Sequence, residues 1–489
     1  MTPQYGAPVS CLFSGTHQAS NLHQHATSVN IVSLLQSNNS RNMPSTPVQS
    51  GDPPKLRRAL GLWDLILYGL IVIQPTAPMP VYGVMTVRAH GHAVTAILIA
   101  MVAMLFTAIS YGRMAKIYPS AGSAFTYVGQ EFHPVLGYIT GWSMAMDYIL
   151  NPLICTILCS KFALNFAPTI PYAAWVFFFV LFFTFLNLHG IKTSARINTT
   201  LAAAMGVVIL IFLVAAARYV GLIPHYGAGF FTRPFYDPLT FSTPAVLGGT
   251  SLAVLTYIGF DGISTLSEEA HNPRRNIPIA TVLVCLIIGI LASVEVYAAQ
   301  LVWPASKPFP DIDTAFVYVA GRAAGPWLFS VINITLLVAT IGSGSGAQLG
   351  AARLLYGMGR SNAIPRRFFG VIEPVSQIPR NNVLFVALIA LIGAMTLSFE
   401  RGVELLNFGA LLAFMGVNAA AFFHYFVREG KRTLYNFLMP TCGFLICLLL
   451  WWNLSWRAKL LGIVWMAVGI AYGAYNTRGF KGKLITFEA

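Results

Sequence analysis

Gln74-Pro75-Thr76-Ala77-Pro78-Met79-Pro80 interrupts an apolar stretch of membrane length running from Leu62 to Val87. Gly259-Phe260-Asp261-Gly262 interrupts a second one, from Thr243 to Leu266. A helix broken inside a bilayer frees N–H and C=O groups where no water can satisfy them. Such breaks persist only where they line a cavity or are buried in protein. Interrupted spans at corresponding places in two halves of a chain point to the binding site of a secondary transporter. The breaks therefore decide both the expected fold and the region in which a site is to be sought.

Of the 489 residues, 56% are hydrophobic and 9% are charged, against about 25% charged in a soluble domain. That balance cannot supply a soluble protein's surface. Twelve apolar segments of spanning length are predicted, at 62–87, 93–117, 133–165, 171–189, 195–219, 244–266, 277–303, 326–358, 382–399, 403–427, 434–452 and 456–475. Strands of a barrel would read as short alternating segments, and these do not. The expectation is an all-α, multi-pass membrane domain over 60–478. The first and sixth segments are the broken ones, so the first ten divide into two sets of five, 62–219 and 244–427. Five is odd, so the second set must run inverted. The helices of 434–475 are then an addition.

A net charge of +14 invites a nucleic-acid partner, but the placement of the charges argues against one. Most Lys and Arg fall in alternate connections, among them Lys55, Arg57, Arg58, Arg113, Lys116, Arg274, Arg275, Arg353, Arg360, Arg366 and Arg367. This is the positive-inside pattern, which puts both termini in the cytoplasm and the protein in the plasma (inner) membrane. A basic inner face meeting anionic lipid accounts for the charge. The polar stretch 1–54 lacks a basic region followed by an apolar one, so it reads as a disordered cytoplasmic tail rather than a signal peptide. Met43 precedes the basic cluster and is a candidate native start, which would make 1–42 an over-extension; 479–489 reads as the other cytoplasmic tail. Cys155, Cys159, Cys285, Cys442 and Cys447 lie in apolar segments and read as small packing residues. No metal site and no cofactor are expected.

Three connections carry specific patterns. The first is Tyr118-Pro119-Ser120-Ala121-Gly122-Ser123-Ala124-Phe125-Thr126-Tyr127, followed by Gly137, Gly141 and Trp142. The second is GFDGISTLSEEAHNPRRNIP at 259–278, and the third is RLLYGMGR at 353–360 with Ile364-Pro365 and Pro379. Together these resemble the amino acid–polyamine–organocation permease superfamily, from about Leu60 to about Gly430. The resemblance implies the LeuT-type five-plus-five inverted-repeat fold with two additional helices, and solute uptake driven by an ion gradient.

In that family the first break usually carries Gly and Ser, whose N–H groups at a helix N-terminus hold a substrate carboxylate. This chain departs from the pattern, because Pro75, Pro78 and Pro80 have no N–H. A donor-poor, carbonyl-rich break suits a cation better than a carboxylate; alternatively, the prolines only shape the kink and neighbouring N–H groups still bind. Gln74 and Thr76 offer side-chain hydrogen bonds there.

Acidic residues inside the membrane are few and therefore informative. Asp147, Asp261 and Glu295 are the candidates, each with the alternative of a neutral or helix-bonded carboxyl, whereas Asp64 reads as a helix N-terminal charge. The resemblance extends to arginine–agmatine exchangers, which carry a Glu at the position of Asp261 and a Tyr at that of Tyr148. It implies an inner gate and proton-linked switch at those two residues. The run from Gly141 through Asp147, Tyr148, Asn151 and Pro152 looks most like the putrescine-importer branch, in which Asp147 would hold one ammonium of a diamine. Asn151 and Thr156 follow on the same helix. Gly259 lies in the second break, with Tyr257 and Phe260 flanking it as possible walls for a cation or as plain packing.

Many family members have a Lys in the fifth helix at a sodium-like position; here Met205 falls there. Ser343 and Ser345 match the hydroxyls that sodium-coupled relatives use, or serve close helix packing. A proton is the expected coupling ion, with sodium the alternative. Glu268-Glu269 and Arg274-Arg275 read as structural charge pairing near the inner gate.

The expected function is import of a small amine, polyamine or amino acid by a secondary transporter, monomeric or homodimeric, in a lipid bilayer. An amino acid permease or exchanger with sodium coupling or antiport is the alternative. An intramembrane enzyme would need a nucleophile–base pair or a His-Glu-x-x-His motif, and the chain has no such motif.

Overall fold

The computed structural model describes residues 59–120, 122–189, 195–360, 364–373 and 378–480. The expected tail 1–54 and most of 479–489 lie outside the described residues. The first broken pair is α1 (Leu62–Ile73) and α2 (Pro78–Arg88), followed by α3 (Ala93–Ile117), α4 (Ser123–Glu131), α5 (Pro134–Leu164), α6 (Tyr172–Leu188) and α7 (Ala195–Gly221). The second is α8 (Thr243–Ala253) and the single turn α9 (Gly262–Thr265), followed by α10 (Pro273–Val302), α11 (Ala315–Ala324), α12 (Pro326–Arg360), the single turn α13 (Arg366–Phe369), α14 (Arg380–Thr396) and α15 (Phe399–Phe422). The chain ends in α16 (Leu434–Trp452) and α17 (Trp456–Asn476). Apart from one bridge between Leu60 and Ala270, the described residues hold no β-structure.

Among the described residues, nine helices are long and apolar enough to cross a membrane, and ten if the pair α1–α2, bent by 54°, is one span. Helices α6 and α14 are apolar but shorter. The chain is a multi-pass helical membrane protein.

Both breaks differ in extent from the sequence expectation. The first covers only Gln74 to Ala77, and Pro78 and Pro80 lie in the first turn of α2. Proline fits there because a first-turn N–H has no helical acceptor and its φ is already helical. The second opens earlier than Gly259. Helix α8 ends at Ala253 and tightens into a 3-10 turn, Val254–Tyr257. Ile258 then turns extended, and Gly259 takes φ +119°.

Two connections between the expected spans are helical. Helix α11 buries Phe316, Val317 and Ala320 and packs against α2 and α12. Helix α4 begins at Ser123, inside the Tyr118–Tyr127 pattern, and packs against α5 and α15.

The packing relies on close approach rather than large side chains. A Cβ at Gly112 of α3 would lie 2.7 Å from Pro278 Cα of α10, so these two helices touch backbone to backbone. Small residues permit this in a bilayer, where van der Waals packing holds helices together. Past Phe422 the chain widens into a π-turn, Phe423–Arg428. It delivers His424 Nδ1 to within 2.5 Å of the buried Glu131 carboxylate, which also accepts from the Tyr118 hydroxyl at 2.6 Å.

Candidate substrate cavity

A cavity of about 430 Å³ opens where the two breaks meet α5, α7 and α12. From the first broken pair it takes Tyr68, Gln74 and Pro75, and from the second Gly259, Asp261 and Thr265. Helix α5 contributes Asp147, Tyr148 and Asn151, and α7 contributes Met205.

Local chemistry sets each of these groups. Gln74 has φ +69°, and its side-chain amide donates to the Ala339 carbonyl of α12 at 3.2 Å, anchoring the break to the opposite wall. The Gly259 N–H donates to Asp261 Oδ1 at 3.3 Å, so the second break folds its own backbone donor onto the carboxyl. Asp147 and Asn151 are four residues apart and share a helix face. Pro152 lies inside α5 and has no N–H, which deprives the Tyr148 carbonyl of its i+4 donor beside the cavity. Helix α12 lines the opposite side with Ala339, Gly342, Gly346 and Gly350, a small-residue stripe that leaves room in front of the two carboxyls.

The electrostatics are one-sided. Asp147 and Asp261 are 8% and 7% exposed, and no Lys, Arg or His lies among the described lining residues. The cavity runs toward the ends where α7 begins and α12 finishes, as Leu201, Ala202 and Gly350 line it. At the opposite end the segment before α11 seals the molecule. A Cβ at Gly83 of α2 would overlap the Ile312 carbonyl. Lys161 of α5 pairs with Asp311 and Asp313, and Arg88 lies 3.9 Å from Glu400 and from Glu404.

Of the residues singled out from sequence, the structure brings Gln74, Asp147, Tyr148, Asn151, Gly259, Asp261 and Ser343 to the cavity wall. The others lie elsewhere. Thr76 is buried with its hydroxyl 3.8 Å from Met205 Sδ. Thr156 donates to the Pro152 carbonyl. The Tyr257 hydroxyl donates to the Ile97 carbonyl at 3.0 Å, and Phe260 packs against Tyr111 and Phe414. Glu295 is fully buried in α10, and neither carboxyl oxygen has a hydrogen-bond partner among the described residues. The Ser345 carbonyl accepts from Asn187 on α6.

Sequence reasoning missed Tyr68, Thr265 and the α12 stripe. The stripe had a readable signal, glycine at every fourth position from 342 to 350. Tyr68 had none, because it sits in an unbroken apolar run.

A profile of the amino acid permease family matches residues 81–486. The chain is 36% identical over 448 residues to the low-affinity putrescine importer PlaP of Escherichia coli (strain K12), covering 89% of this chain and 97% of the relative. It is 25% identical over 457 residues to the branched-chain amino acid permease BcaP of Bacillus subtilis (strain 168), covering 87% and 94%. It is 26% identical over 394 residues to the vacuolar cationic amino acid transporter 4 of Arabidopsis thaliana, covering 76% and 64%.

Proposed function

The chain belongs to the amino acid permease family, and on that premise we propose that it imports a small amine, a diamine of the putrescine kind foremost, across the plasma (inner) membrane. It is a transporter, not an enzyme, as its relatives are. The observation that carries the substrate reading is the acidic cavity, with two carboxyls and no cationic side chain among the described residues of its wall. A substrate ammonium finds Asp147 together with neutral acceptors on the same helix, the Asn151 amide oxygen and the Tyr148 carbonyl that Pro152 leaves without its helical donor. Tyr68 and Tyr148 add aromatic walls suited to a cation. The proline-bearing first break has little to offer a carboxylate. The name of the PlaP relative agrees with a diamine.

The mechanism is alternating access on a five-plus-five inverted repeat of twelve spans. Each broken pair is followed by three long helices and one shorter apolar one, α3, α5, α7 and the shorter α6 in one half and α10, α12, α15 and the shorter α14 in the other. Basic residues gather where α3 and α12 finish and α10 begins, among them Lys116, Arg274 and Arg366. By the positive-inside rule that end is cytoplasmic, so the cavity of this structure faces inward. Asp261, in the second break, is the group that takes up and releases the coupling proton, and Tyr148 closes over it.

A sodium-coupled amino acid permease is the second reading, favoured by Ser343 at the wall and by the BcaP relative. Uptake into proteoliposomes decides between them. Putrescine uptake that follows a proton gradient, ignores sodium and is lost in Asp147→Asn is the expected result. Sodium-dependent leucine uptake with Asp147→Asn fully active would overturn it.

A further inference from the structure

A second cavity, of about 520 Å³, lies at the far end of the molecule from the first. Helix α7 touches both, with Leu201 at the substrate cavity and Tyr219 at this one. Eighteen helical residues separate the two by about 27 Å. The wall includes Arg322 of α11 and Arg233 of the segment that follows α7.

The charge here is reversed. Two guanidinium groups face one carboxylate, Asp237. That carboxylate is only loosely engaged, at 3.9 Å from Arg233 Nε, and it also accepts from the Leu239 N–H at 3.1 Å. Arg322 is half-buried, and no described carboxylate lies within ion-pairing distance of it. Its Nε donates to the neutral Tyr219 hydroxyl at 2.9 Å, and its guanidinium lies 5.5 Å from the Trp303 ring. The group is thus held in place through one nitrogen, and its charge meets aromatic rings but no described carboxylate. A buried cation is normally paired, and a guanidinium fork is shaped for a carboxylate or a phosphate. The cavity floor is rigid, since Gln300 bonds both the Gly91 carbonyl and the Val94 N–H.

We propose that this cavity is a second ligand site, which binds an oxyanion (a carboxylate or phosphate group) between Arg322 and Arg233. The two arginines belong to different segments, so the anion ties the 222–242 connection to α11. That connection and α11 both lie on the sealed end, and the bound anion reinforces the seal.

The test uses the purified full chain in detergent, titrated with inorganic phosphate and with succinate against chloride at matched ionic strength. Thermal unfolding is the readout. General stabilisation by phosphate, through its exclusion from the protein surface, does not saturate, whereas site binding does. A saturable upward shift is expected. Its apparent dissociation constant should weaken about tenfold or more in Arg322→Gln and in Arg233→Gln. Arg233 is largely exposed, so its variant folds even if the Arg322 variant does not; a monodisperse elution profile checks both. Nanodiscs of phosphatidylglycerol and of phosphatidylcholine form the second arm. A shift given only by phosphatidylglycerol and abolished by the substitutions identifies a lipid headgroup as the occupant. No saturable shift from either source, or one that survives both substitutions, overturns the proposal.

Discussion

The Lys161 ammonium lies 3.0 Å from Asp311 Oδ2, joining α5 to the connection that carries α11. Asp313 Oδ2 is 3.2 Å from the same nitrogen. All three side chains are partly exposed, so each pair contributes about 1 kcal/mol or less. An opening equilibrium is nevertheless sensitive to that amount. Lys161→Met should raise the population in which this end opens by about fivefold. A cysteine at Ala315, buried beneath the connection, should then be alkylated about five times faster by a membrane-impermeant reagent. An unchanged rate would show that packing alone holds the connection shut.

Gly259 is the backbone pivot of the second break. Its φ of +119° is one an L-residue rarely adopts, and a Cβ there would meet Val72 Cγ1 at 3.1 Å and Ile73 Cγ1 at 3.2 Å. Gly259→Ala should cost about 1–3 kcal/mol and disturb the N–H that bonds Asp261. Lower thermal stability together with reduced substrate affinity is expected. Gly262→Ala, where nothing lies near the added methyl, serves as the control.

Met205 lines the same cavity as the two carboxyls and contacts Thr76. Met205→Lys would place an ammonium where the proposed substrate carries its own. Diamine affinity should fall by about tenfold or more, as removal of one charged contact does. Neutral amino acid uptake that rises in the same variant would mark the position as a switch between the two substrate classes. Isothermal titration with putrescine and with leucine reads both.

Tyr118 lies just beyond α3, and its hydroxyl donates to the buried Glu131 carboxylate. Burial first, and the bond to Glu131 second, push the Tyr118 hydroxyl up from 10.0 to about 12. A raised value means that its contribution to stability is complete below pH 10 and is lost as the pH rises toward 12. Tyr118→Phe should be less stable than the parent at pH 7, because Glu131 loses a donor, by about 1–3 kcal/mol. It should also lose less between pH 10 and 12. Thermal unfolding of the two proteins at pH 7, 10 and 12 measures both effects.

Particular residues show how far the sequence could be read. The breaks at Gln74 and Gly259 were legible because proline, glycine and polar groups inside a bilayer-length apolar run have no other physical reason to be there. Asp147 and Asp261 were legible for the same reason, since an unpaired acid in hydrocarbon is costly. Tyr257 and Phe260 were not separable from wall residues by sequence. They flank the break as closely as Gly259 does, and only the direction of each side chain sends the Tyr257 hydroxyl to Ile97 and the Phe260 ring to Tyr111.

The sequence by itself determined that the chain crosses a membrane many times, that it breaks at two matched places and that acids stand near those breaks. These follow from local free energies, the cost of unsatisfied backbone and of charge in hydrocarbon, which depend on neighbours along the chain. Only the tertiary structure decided which acids share a cavity, that Glu295 stands apart with no hydrogen-bond partner among the described residues, and that Arg322 and Arg233 line one second cavity. Those outcomes depend on crossing angles and close approaches such as Gly112 against Pro278. They bring together residues far apart in the chain, which no local pattern encodes.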